Sequence, residues 1–177
     1  MPAVKTVTPF TAQLVRFETS LAPGEVVSRL DGRINRSESK DLIPTIATAG
    51  TRKELEEGIR RISGGNDFVY FLSMRHDNWL KLYDDKVPFV AVYTIGNPQI
   101  AQTIMKHDLR ASYNVPPRLL VLEKEDRTGT YILYHLPSSV MALESDNTEL
   151  GEAARGLDEK LERLVLEVTE DSDKAAL

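Results

Sequence analysis

Hydrophobic positions along this chain switch between two periods. In TAQLVRFET (11–19), Val15 and Phe17 fall on one side and Arg16 and Glu18 on the other, the alternation of a half-buried strand. Pro23 then suits the first turn of a helix, and Val26, Val27, Leu30 and Ile34 recur at helical spacing, which predicts an amphipathic helix over 23–35. Residues 37–50 have no sustained period and read as a loop. Thr51 and Glu54 form a T-x-x-E capping box ahead of Leu55, Ile59 and Ile62, and Gly64-Gly65 ends that helix. DFVYFLSMR (67–75) is apolar on both faces apart from Ser73, which predicts a central strand covered on both sides. DNWLKLYDDK reads as a short helical turn or loop, and FVAVYTI (89–95) as a second well-buried strand.

The second half follows the same logic. In Gly96-Asn97-Pro98, Asn97 can cap a helix whose first position suits Pro98. Ile100, Ile104 and His107 recur on one face of it. Val115-Pro116-Pro117 cannot continue a helix. RLLVLEKE and TYILYHL flank DRTG, a hairpin signal. Leu150, Ala153, Ala154, Leu157, Leu161, Leu164, Val165 and Val168 mark a long amphipathic helix over 147–168. The expected fold is α+β: a single domain over 1–177, with an antiparallel sheet packed by helices on one face. Residues 37–65 form an inserted loop and helix, and the chain ends in a long helix and a frayed tail at 170–177.

Composition narrows the chemistry. At 177 residues the chain is long enough for one full core and short for two. It has no cysteine, which excludes disulfides, thiol nucleophiles and thiolate metal sites. It lacks an apolar run near the roughly 18 residues of a membrane span, and MPAVKTVTPFTAQLV does not resemble a secretory signal. Cytoplasmic residence is the expectation. The net charge of −5 is uneven: residues 144–173 hold eleven acidic and three basic side chains, or −8, so the rest carries about +3. No Lys/Arg face is interleaved with aromatics, so a nucleic-acid partner is not expected.

The segment from Gly96-Asn97-Pro98 through Met105, then Pro117, Val121 and Glu123, then Asp126 and Gly129 leading to Tyr131 and Tyr134, resembles the DUF302 family. The resemblance is good over 88–140 and looser over 11–36. It implies a compact β-α-β(4)-α fold, related in outline to the TATA-binding-protein-like (TBP-like) group, and often a homodimer. It implies no reaction. The inserted loop and helix and the long acidic C-terminal helix depart from the simpler pattern of that family.

Candidate chemistry rests on a few side chains. His76 stands beside Asp77 and Trp79 at a strand end, either as a general base oriented by a carboxylate or as a polar group where the chain meets water. His107 either faces a pocket or is a core-edge histidine. His135 shares a strand face with Tyr131 and Leu133, while Tyr134 points the other way. Arg75, Tyr93, Arg118, Tyr131 and Trp79 are candidate ligand-binding groups, and His76, His107, His135 and Tyr134 candidate catalytic ones. No metal-ligand spacing, P-loop, G-x-G-x-x-G or G-x-S-x-G occurs, so no metal and no cofactor is expected. The leading reading is a pocket between sheet and helices for a small apolar or aromatic ligand. It would serve binding or a cofactor-free acid–base step of the cyclase or isomerase type, such as one in specialised metabolism. The alternative is a non-catalytic homo-oligomeric interaction module, as a homodimer.

Overall fold

A computed structural model describes residues 1–143 and 145–171. Along the chain it forms strand β1 (Leu14–Thr19), helix α1 (Pro23–Arg33), a 3-10 helix (Arg36–Asp41), helices α2 (Leu42–Thr48) and α3 (Arg52–Ser63), and strand β2 (Val69–Arg75). Helix α4 (His76–Leu80), strand β3 (Val90–Gly96), helix α5 (Pro98–Met105) and a second 3-10 helix (Leu109–Asn114) follow. Strands β4 (Arg118–Glu123) and β5 (Thr130–His135), then helices α6 (Pro137–Met141) and α7 (Thr148–Thr169), complete it. The order is α+β, as the periodicity predicts.

All the strand pairings are antiparallel, in the order β1-β5-β4-β3-β2. Strands β1, β2 and β4 therefore run one way and β3 and β5 the other. One end of the sheet holds the starts of β1, β2 and β4 with the ends of β3 and β5. The other end holds Arg75, Val90 and Glu123. Helices cover a single face. Ala91, Tyr93, Ile95, Leu119, Val121, Ile132 and Tyr134 point into that side and join Val26, Leu30, Leu157, Leu161 and Val165 in the main core. A smaller cluster of Leu42, Ile59, Ile62 and Val69 packs the α2–α3 pair against β2.

Local signals account for most element ends. Thr51 Oγ1 accepts from the Glu54 N–H at 3.2 Å, while the Glu54 carboxylate accepts from Gly50 N–H at 2.9 Å, a capping box displaced by one residue. Gly64 ends α3 in the left-handed region at φ 60°. Asn97 Oδ1 accepts from Gln99 N–H at 2.9 Å, with Pro98 in the first turn. Gly129 lies at φ 153°, and a Cβ there would sit 2.1 Å from the Thr19 carbonyl oxygen. Glycine is required because β1 passes this close to the hairpin turn.

Some expectations change. The 67–75 stretch is not a central strand. β2 is an edge strand, and Leu72 and Met74 stand on the uncovered face, 53% and 54% exposed. Its apolar run is two-sided because Tyr70 faces the helices, a bulge at Phe71 shifts the register, and Leu72 and Met74 then face away. Residues 37–50 are not a loop but a 3-10 helix followed by α2, held by the small second cluster through Leu42. Propensity alone does not show this, because tertiary packing supplies most helix stability. Helix α5 stops at Met105, so His107 belongs to the turn after it. Of the expected tail at 170–177, residues 172–177 lie outside the described ones. No described helix is long and apolar enough to cross a membrane.

Candidate functional site

The candidate catalytic side chains do not converge. Strand polarity sends His76 to one end of the sheet and His135 to the other. The His76 imidazole Nδ1 accepts from the Trp79 indole at 3.3 Å, and their rings meet edge-on. Asp77 is turned elsewhere. Its fully buried carboxylate takes the Arg75 guanidinium at 2.6 and 2.8 Å, the Lys81 ammonium at 3.5 Å and the Val90 N–H at 3.4 Å. The Arg75 hydrogen bonds, helped by Val90 and opposed by burial, hold this carboxyl down at about 2. Arg75 also lies 3.9 Å over the Phe89 ring. This constellation ties the β2–α4 corner to β3.

The two buried tyrosines serve packing. Tyr93 is 2% exposed, and its hydroxyl accepts from Arg36 at 3.2 Å. Arg36 also reaches Asp31 at 2.9 Å and lies 4.7 Å over the Tyr70 ring. Burial, with Asp31 nearby, pushes the Tyr93 phenol up to about 12. Tyr134 stacks on Phe17, and burial with Glu162 and Asp158 nearby likewise pushes it to about 12. A phenol so far from neutrality is a poor general acid or base near pH 7. Tyr131, on the uncovered face, is flanked by Arg16 and Lys124. His107 Nδ1 lies 3.5 Å from the Glu149 carboxylate.

Arg118 and His135 do come together. Both line a recess of about 50 Å³ with Tyr113, Pro116 and Pro117. That is room for little more than water.

The ligand-sized space is next to it, behind the same prolines. At the end of β3 a cavity of about 230 Å³ is lined by Ile46 of α2, Phe71 of β2, and Gly96, Asn97, Pro98, Ile100, Ala101 and Met105. Ser112, Val115, Pro116, Pro117 and Leu157 close it. Its lining is apolar except for Asn97 and Ser112. The Asn97 amide is already committed: it caps α5 and donates to the Asp67 carbonyl at 3.1 Å. Gly96 sets the width of the wall. A Cβ there would lie 2.8 Å from Pro116 Cβ and 3.4 Å from the Phe71 ring.

None of the histidines, tyrosines, arginines or tryptophan singled out from the sequence lines this cavity. Its residues are apolar ones that carry no chemical signature. The available signal was the motif itself: Gly96, Asn97, Pro98 and Pro117, which read as cap and breaker residues, stand in its wall together with Met105. Among the described residues no group of three or more His, Asp or Glu side chains is placed to hold a metal ion.

The fold defines an α+β domain with a β-α-β(4)-α core and added helices. The chain belongs to the DUF302 family, a domain of unknown function, whose profile matches residues 45–168. The match therefore takes in most of the α2–α3 pair. A solved structure with a similar fold is the crystal structure of an uncharacterized conserved DUF302 protein from Bacillus stearothermophilus. Its TM-score is 0.62 at 16% identity, over 88% of this chain and 97% of that one, a likeness of fold alone. No curated protein matches the chain.

Proposed function

We propose that the protein binds a small apolar or aromatic molecule in the cavity at the end of β3. The observation that carries this is the convergence of the motif residues from Gly96 to Pro117 on one apolar space of about 230 Å³. A dry apolar cavity of about 150 Å³ already accepts benzene, so a one- or two-ring guest fits. Binding is favoured over an acid–base step because the side-chain polar groups of the wall are an engaged amide and one hydroxyl. A cyclase or isomerase step would have to draw on His135 and Arg118 across the Pro116-Pro117 partition.

The test is titration with a neutral fluorescent probe such as N-phenyl-1-naphthylamine. Wild type should give saturable enhancement, and Ala101→Phe, which fills the cavity, should not. Equal signals from the two folded proteins would sink the proposal.

The uncovered sheet face favours a second reading, a homodimer. Leu14, Leu72 and Met74 are more than half exposed there, beside Leu120, Leu122 and Leu133. Two copies joined by this face would bury on the order of 1,000 Å² or more in total. Sedimentation equilibrium at micromolar concentration decides it, and a monomer rules it out.

A further inference from the structure

A second space adjoins the cavity. A groove of about 590 Å³ runs between the end of α3, the start of α5 and the middle of α7, and Asn97, Ile100 and Leu157 belong to the walls of both. The two differ in chemistry. The groove wall carries Arg60, Ser63, Asn66, Gln99, Thr103 and Lys160. Lys160 Nζ lies 2.5 Å and Arg163 Nη2 3.7 Å from the Asp67 carboxylate, which also lines the groove, so Lys160 already has an anionic partner. Arg60 makes no ion pair with any described residue. Among the residues that line the groove, two cations stand against one carboxylate, in a chain whose net charge is −5.

Gly156 is the independent sign that the groove is kept open. It sits well inside the 22-residue α7, where glycine is costly relative to alanine. Nothing lies within 4 Å of the place a Cβ would take. Packing therefore does not demand glycine here. A side chain at this position would instead project from the groove wall.

Resting on the cavity reading above, we propose that the ligand is an amphipathic monoanion. Its apolar body fills the cavity. Its singly charged head crosses the seam at Asn97, Ile100 and Leu157 and lies in the groove against Arg60. A charge-assisted hydrogen bond to a guanidinium is the strong kind of contact, and its planar fork suits a carboxylate.

Calorimetric titration of the full chain with 2-naphthoate and with its neutral counterpart 2-naphthalenemethanol tests this. The carboxylate should bind about tenfold more tightly or better at low salt, and Arg60→Ala should remove that margin. Gly156→Leu should weaken the carboxylate while melting no lower than wild type. Equal affinity of the two probes for wild type, or an unchanged margin in Arg60→Ala, overturns the anionic head and leaves the cavity reading standing. Failure of both probes to bind overturns the cavity reading with it.

Discussion

The two ends of β3 are built on opposite plans. At its start, the Asp77 carboxylate gathers Arg75, Lys81 and the Val90 N–H, and no buried side-chain polar atom among the described residues there lacks a partner. At its end, apolar side chains from α2, β2, α5, α7 and the 112–117 segment surround a space that they do not fill. Arg75 and Asp77, conspicuous in the sequence, are consumed by each other at the first end. A buried carboxylate is tolerated only when fully paired, so such a cluster is evidence of structure before it is evidence of catalysis. The second end looks plain residue by residue, yet close packing is the norm in protein interiors, and an apolar void runs against it.

This contrast can be broken by mutation. Asp77→Ala should cost the most, about 2–4 kcal/mol, because it strips a buried carboxylate from Arg75 and Val90. Urea denaturation reads this, and a loss below about 0.5 kcal/mol would mean the corner is ordinary surface. Acid should act on the same group. Asp77 titrates near 2 in the folded protein against 3.8 ordinarily. Its contribution, roughly 2 kcal/mol, is thus present above the ordinary value and is lost as pH falls through the folded one. Asp158 has the opposite sign, since burial raises it and protonation there favours the fold. Stability measured between about pH 5 and about pH 2 should therefore fall in wild type and fall less in Asp77→Asn.

At the other end, Gly96→Ala should cost about 1–3 kcal/mol by overpacking against Pro116 and Phe71. It should also abolish binding of the neutral probe. Loss of stability with full probe binding would separate the motif glycine from the cavity. The smallest effect is expected on the uncovered face. Leu72→Lys with Met74→Lys should change stability within about 0.5 kcal/mol, while dissolving a dimer if one forms. A large stability loss would show that this face packs against something within the chain.

Much of this was legible from spacing. The capped start of α5 follows from Asn97 and Pro98, the hairpin from DRTG, and α7 from its leucine and valine stripe. These are local devices, and local chemistry is present in the sequence. Edge and centre were not legible for β2, because a run such as FVYFL has the same appearance in either place until the register is known. Helix α2 was missed for a related reason: its burial comes through Leu42 meeting Ile59, Ile62 and Val69 from elsewhere.

The candidate site divides the same way. The sequence by itself determined that the chain is an α+β domain of the DUF302 pattern, where its main turns and caps fall, and that Gly96, Pro98 and Pro117 shape one segment. Only the tertiary structure decided that this segment encloses a space, that Arg60 and Gly156 face the groove beside it, and that His76 and His135 stand at opposite ends of the sheet. The physical reason is that caps and breakers act through the backbone within a few residues, whereas a cavity is what remains between elements far apart in sequence once each has buried its own apolar face.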